Sequence, residues 1–318
     1  MEIREEFIKL YKANRKNAIE FKNLNMPKKL YRYRSLTNKT INTYRYNELV
    51  HGKLFLSHPK DLNDLFEVTS GFCNGNIELL RRLKPIVFEA VRRILTQEEY
   101  EFVNAGEDWF ERLCWLSKMS KNGEYEKITE TINVTINELQ EYINNHISDI
   151  SKNLYRIASF SESPDNIPMW YHYTDNHKGV CLEYDKNSID DLDHIFPAIY
   201  TKELPDVTGV MFGNQNFYSV NIFEYLAFHK AHDWRYENEW RMIMYPRYIY
   251  DKRDDVPLDF YDKGVQIDFV KPSKVILGIR ISQKHKKIIL KMCNKAGIPV
   301  VQARDNHFSL DVESEILN

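Results

Sequence analysis

The stretch Trp234-Arg235-Tyr236-Glu237-Asn238-Glu239-Trp240-Arg241 sets the reading of this chain. Aromatic residues are dense in it, and polar and bulky residues alternate with a period of two, the mark of a β-strand. Residues i, i+2 and i+4 of a strand share a face. One face is therefore expected to carry Arg235, Glu237, Glu239 and Arg241, and the other Trp234, Tyr236, Asn238, Trp240 and Met242. Two carboxylates roughly 6 to 7 Å apart along a strand, flanked by guanidinium groups, can hold and polarise a polar substrate. The same spacing fits a half-buried strand whose outer face is laced with ion pairs, and salt bridging is the role read for Arg235 and Arg241.

The chain has 318 residues, enough to bury a sizeable core as one domain or two modest ones. A hydrophobic content of 43% and a charged content of 28% are ordinary for a globular protein. A formal net charge of −2 gives no global argument for nucleic-acid or membrane binding. The aromatic content of 13%, with 20 Tyr and 17 Phe, points to a β-rich core or a stacking pocket. Cys73, Cys114, Cys181 and Cys293 are scattered without a CxxC pair, so neither a metal knuckle nor a disulfide framework is expected. Residues 1–15 are charged and lack an apolar core, and no run of about 18 apolar residues occurs. No signal peptide, no membrane association and a cytoplasmic location are the resulting expectations.

Along the chain, residues 1–21 have helical spacing, and Leu30–Arg34 alternates as a short strand with Arg32 and Arg34 on one face. Thr37 is a candidate cap for a helix ending near Gly52, and Lys53–Ser57 reads as the next strand. A turn over Asp61–Glu67 follows, where His58, Asn63, Asp64 and Glu67 either line a cleft or cap their own backbone. Residues 77–152 read as a helical insertion. Strand character returns at Tyr155–Ser163, with Ser159, Ser161 and Ser163 on one face. Met169–Tyr173 is a helical turn packed by aromatics, Lys178–Tyr184 and Ile195–Tyr200 are strands, and Phe217–His232 is a helix leading into the opening stretch. The tail reads strand–strand–helix–strand. The expected fold is α+β, one domain over residues 1–318, with two small packed mixed or antiparallel sheets forming a cleft.

GxGxxG, GxxxxGK[ST], HExxH and GxSxG are all missing, which disfavours Rossmann, P-loop, zincin and α/β-hydrolase chemistry. What remains is a basic strand (Arg32, Arg34), a serine strand (Ser159, Ser161, Ser163) and a Glu-x-Glu strand (Glu237, Glu239), in that order.

The phrases Leu30–Arg34, Phe55–Glu67, Met169–Tyr184, Trp234–Arg241 and Val270–Gly278 together resemble a bacterial domain family of unknown function, met in mobile and anti-phage gene neighbourhoods. More remotely, the order of the three strands is similar to the Arg–Ser–Glu class of the ADP-ribosyltransferase superfamily, whose fold is two packed, split β-sheets around an NAD cleft. That resemblance implies an enzyme that cleaves NAD at the nicotinamide–ribose bond and transfers ADP-ribose to a protein or nucleic acid, acting as a toxin or anti-phage effector with a possible antitoxin. NAD would be the co-substrate, and no metal is implied. Glu239 would be catalytic, and Glu237 would lie on the acceptor side. Arg32 or Arg34 would hold NAD, Ser159 and Ser161 would shape the nicotinamide pocket, and Tyr171 or its neighbours Trp170 and Tyr33 would stack on a base. Phe160 stands where the family's serine motif has Thr or Gln. The chemistry suits the residue types: a carboxylate facing an oxocarbenium-like transition state stabilises it more than the ground state. A guanidinium grips pyrophosphate through its fork. The alternatives are a metal-dependent nuclease in which Asp64, Glu67, Glu237 and Glu239 gather Mg²⁺, and a non-catalytic interaction module.

Overall fold

The computed structural model describes residues 2–36, 43–64, most of 84–119, scattered positions between 126 and 145, and residues 153–205, 221–245, 263–305 and 312–317. Thr37 and Glu67 lie outside the described residues. The chain divides into two compact units, one of residues 1–68, 151–202 and 223–318, the other of residues 69–150 and 203–222.

The first unit opens with helices α1 (Glu2–Ala13) and α2 (Arg15–Asn25), where the sequence suggested one. Asn14 splits them: its backbone is extended, and its side chain accepts from Lys16 N at 2.9 Å and Asn17 N at 3.2 Å, which starts a new helix. Strand β1 (Lys29–Arg34), helix α3 (Thr43–Val50) and strand β2 (Lys53–Leu56) follow. Gly52 turns the chain between the last two at φ 59°, and a Cβ there would sit 2.6 Å from the Phe269 carbonyl. In the second unit, α4 (Gln97–Asn104) and α5 (Trp109–Met119) close a small core of Val87, Phe88, Val91, Val103, Trp109 and Leu113. Residues 92–96 and 105–108 around these two helices are turns where they are described.

Back in the first unit come β3 (Arg156–Ser161), α6 (Ile167–Tyr173), β4 (Val180–Asp185), β5 (Ile195–Pro197) and β6 (Ile199–Thr201). They are followed by α7 (Ile222–Phe228), β7 (His229–Ala231), β8 (Glu239–Met244), β9 (Val265–Asp268), β10 (Lys274–Leu277), α8 (Gln283–Ala296), β11 (Val300–Asp305) and β12 (Val312–Leu317).

The fold is α+β with a mixed sheet, as expected, but its strands are arranged as one large sheet and two small pairs in place of two small packed sheets. Eight strands form one mixed sheet in the order β12-β11-β10-β4-β1-β3-β8-β5, and two pairs, β2-β9 and β6-β7, stand apart. One face of the large sheet presents Leu30, Phe160, Leu182, Trp240, Met242 and Val275, buried against Ile289, Met292 and Cys293 of α8. Fully burying one such side chain stabilises the fold by about 1.5–3 kcal/mol. The helix that covers them is fixed at both ends. Ser282 accepts from His285 N at 3.1 Å, and Gly297 at φ 72° lets the chain turn off it. On the opposite face Tyr33, Cys181, Ile276 and Val301 pack with Met169 and Trp170 of α6.

Two local corrections concern the opening stretch. Residues 232–237 form a 3-10 helix, Asn238 takes the left-handed conformation (φ 44°, ψ 53°), and the strand begins only at Glu239. The aromatic alternation of Trp234 and Tyr236 imitates a strand, but an asparagine tolerates the left-handed region and ends the 3-10 turn there. The helix expected over 217–232 is confined to Ile222–Phe228 in the described residues, and His229–Ala231 pairs in parallel with β6.

Candidate active site in a split between strands

β1 and β3 are neighbours, yet they pair only at Tyr31↔Ser161. The far end of β3 pairs instead with Ser57, whose N donates to Ile157 O at 2.7 Å and whose O accepts from Ile157 N at 3.0 Å. The two strands thus splay. A cavity of about 210 Å³ occupies the opening, lined by Tyr31–Arg34, Ser57, Asp61–Asn63, Ile157, Ser159–Ser161, Met169, Tyr173, Lys230, Glu237 and Glu239.

The basic, serine and Glu-x-Glu segments therefore meet. β3 and β8 pair with Ser161 opposite Glu239 and Ser159 opposite Arg241. Alternation places Tyr31 and Tyr33 on that same face and Arg32 and Arg34 on the other. The cavity reaches both sets because it lies between the strands. Arg32, only 3% exposed, lies 5.6 Å from the Phe160 ring centre and donates through Nη2 to Phe55 O at 2.6 Å. Its Nε is 3.4 Å from Glu48 of α3, which Arg34 shares at 3.3 Å. Arg32 Nε and Nη1 are buried and lack a hydrogen-bond acceptor. An unsatisfied buried donor costs about 1–3 kcal/mol, and Glu48 supplies the counter-charge that both arginines share.

At the other end lies a buried quartet of charges. Lys230 Nζ donates to Glu237 Oε2 at 2.5 Å and to Glu239 Oε2 at 2.8 Å. Arg241 grips Glu239 through Nε at 3.0 Å and Nη2 at 3.1 Å. Tyr173 Oη donates to Glu237 Oε1 at 2.5 Å, Ser161 Oγ donates to the Glu237 carbonyl at 2.7 Å, and Tyr200 Oη accepts from Glu239 N at 2.7 Å. Burial works against ionised Glu239, but Arg241 and Lys230 outweigh it and hold its carboxyl at about 2. Burial, aided by the Glu239 charge, pushes Glu237 above the ordinary carboxylate range.

A pH dependence of stability follows from these directions. Glu239 falls from 4.5 to about 2 on folding, so its contribution, about 3 kcal/mol, is complete above pH 4.5 and is lost as pH falls towards 2. Glu237 acts in the opposite sense, because a raised carboxyl binds its proton more tightly in the native state and loses stability as pH rises. Urea midpoints of the wild type are expected to drop through the window below pH 4.5, and those of Glu239→Gln to lack that drop. Parallel curves would refute the assignment.

Of the residues singled out in the sequence, Arg32, Arg34, Ser159, Ser161, Glu237 and Glu239 all line the cavity. Tyr171 does not: it is 56% exposed. In a helix Met169, Trp170 and Tyr173 share a stripe and Tyr171 points away; the aromatics that line the cavity are Tyr31, Tyr33, Phe160 and Tyr173. Arg241 is the ion-pair partner expected, whereas Arg235 is exposed and lies 3.2 Å from His232 Nδ1. His58 Nδ1 accepts from Lys60 N at 3.0 Å, a self-capped turn, and Asp64 accepts from Ala231 N at 2.8 Å. Among the described residues no three His, Cys, Asp or Glu side chains gather as metal ligands. Nor is any described helix long and apolar enough to cross a membrane. Lys230 was missed because its segment reads as helix. Tyr173 was within reach of the helical period.

No curated protein and no solved structure matches the chain. One stretch is similar to a known family: residues 169–242, which run from α6 to β8 and include Tyr173, Lys230, Glu237, Glu239 and Arg241, match the family described as "Protein of unknown function (DUF2971)".

Proposed function

We propose that the cavity takes NAD and that the chain is ADP-ribosyltransferase-like, cleaving the nicotinamide–ribose bond and passing ADP-ribose to a protein or nucleic-acid acceptor. The observation that supports this best is the meeting of Arg32, Ser159, Ser161, Glu237 and Glu239 at one cavity in the split between β1 and β3. Unrelated amphipathic strands would have left these groups scattered. NAD carries a pyrophosphate at one end of the reacting ribose and a cationic base at the other. The Arg32 donors suit the first, through the bidentate habit of guanidinium. Carboxylates already fixed in place suit the oxocarbenium that develops as nicotinamide departs, because they need no reorganisation at the moment of reaction.

An activity of this kind suits a toxin or anti-phage effector, with an antitoxin as a partner. The competing nuclease reading has less behind it, since Asp64, one of its four carboxylates, is engaged by the Ala231 backbone amide. Purified protein given NAD labelled in the nicotinamide ring is expected to release free nicotinamide. Absence of release with every acceptor offered, together with metal-dependent cleavage of nucleic acid, would replace this reading with the nuclease.

A further inference from the structure

Glu237 and Glu239 flank the bend at Asn238, and their partners differ in kind. Glu239 has a cation of its own in Arg241, which holds both of its oxygens, and Lys230 adds a third contact. Glu237 is held by the Tyr173 phenol on one oxygen and by Lys230 on the other, and among the described residues Lys230 is its one cation. Lys230 is therefore shared, and Arg241 is not.

The consequence is an asymmetry in where a proton can go. Protonating Glu239 would weaken three contacts to two buried cations, Arg241 through Nε and Nη2 and Lys230 through Nζ, and a guanidinium does not give up its own proton in response. Protonating Glu237 leaves Lys230 paired with Glu239, and the Tyr173 hydroxyl can turn from donor to acceptor. We infer that Tyr173 and Lys230 are positioning residues that make Glu237 the proton-exchanging carboxyl of this site and keep Glu239 ionised throughout. The opposite directions in which the two carboxyls are shifted agree with this geometry. The other titratable or charged groups around the cavity are Tyr31, Arg32, Tyr33, Arg34 and Asp61. Tyr236 lies close to Glu237 in charge interaction, Tyr200 bonds the Glu239 amide, and Asp64 bonds the Ala231 amide beside Lys230.

Its place in the reaction rests on NAD cleavage as proposed above. The bond between ribose C1′ and the nicotinamide nitrogen breaks, and nicotinamide leaves as a neutral base with the bonding pair. The acceptor oxygen then forms the new bond to C1′ and gives its proton to ionised Glu237. Release should therefore fall as pH drops through the Glu237 value.

The test follows the carboxyl carbons of glutamate by NMR with carbon-13 label, in wild type, Tyr173→Phe, Lys230→Met and Lys230→Arg, beside pH profiles of nicotinamide release. Glu237 is expected to titrate first as pH is lowered. Tyr173→Phe removes a donor to the charged form, so the Glu237 midpoint and the acid limb of release should rise together by about one pH unit. The Glu239 midpoint should stay where it is. Lys230→Met should raise the Glu237 midpoint by about 1–3 units, and Lys230→Arg should bring it back. Glu239 taking the proton first overturns the inference, as does a raised Glu237 midpoint with an unmoved limb. Failure of the wild type to release nicotinamide would sink the NAD reading by itself, while the titration order, read without NAD, still decides between the two carboxyls.

Discussion

Arg241→Met is expected to lower the free energy of unfolding by about 3–5 kcal/mol, a large share of the roughly 5–15 kcal/mol that holds a domain together. Arg241 is 1% exposed, and its loss leaves Glu239, 2% exposed, with Lys230 in place of its bidentate partner. The guanidinium also donates through Nη1 to Ala227 O at 2.9 Å and His229 O at 3.2 Å, so it ties the end of α7 and the start of β7 to β8. Those carbonyls would be left to find other donors. Urea unfolding of the single variants and of the double variant Arg241→Met with Glu239→Gln measures the coupling. The double variant should cost clearly less than the sum of the singles, because a neutral amide at position 239 no longer needs the cation. The Lys9–Glu6 pair, with side chains 77% and 41% exposed, is the internal control. Breaking it should cost no more than about 1 kcal/mol. An Arg241→Met effect as small as that of Lys9→Met would mean the quartet is solvated after all.

How much of this site could be read from the sequence varies with the kind of signal. The chemistry of β1, β3 and β8 was legible because a strand repeats every two residues, so arginines at 32 and 34, serines at 159 and 161 and glutamates at 237 and 239 each point one way on inspection. That the three segments meet was not legible, because strand order is fixed by non-local pairing; it depends on β1 parting from β3 after a single registered pair. The eight-stranded sheet has the same origin. Short strands such as His229–Ala231 are too brief to show any period, so Lys230 was absorbed into a helical run. Glu237 reached the site by a different route from the one expected. It comes from a 3-10 turn and not from the strand, and the left-handed Asn238 brings its carboxylate beside that of Glu239. Local amphipathicity thus named most of the chemistry, and long-range pairing decided which residues share a cavity.

That difference in backbone setting makes the two glutamates separable by experiment, and the variant to make first is the one at 237. Glutamine at 237 keeps one acceptor oxygen for Lys230 and turns an NH2 towards the Tyr173 hydroxyl, which can change from donor to acceptor, and it removes a carboxylate that burial and its neighbour already disfavour. Its fold should therefore survive, with an unfolding midpoint close to that of the wild type. Loss of a general base costs roughly 10²- to 10⁴-fold in rate, so nicotinamide release by Glu237→Gln should drop at least a hundredfold at neutral pH. Glutamine at 239 removes the buried carboxylate that Arg241 and Lys230 both contact. That variant should lose both release and stability, and the pH dependence below 4.5 with them. Side by side, the two variants distinguish chemistry from scaffolding. If Glu237→Gln turns over NAD at the wild-type rate, Glu237 is no base. If Glu239→Gln is as stable as the wild type and merely inactive, Glu239 is the reacting carboxylate, and its ion pairs are there to aim it at the substrate.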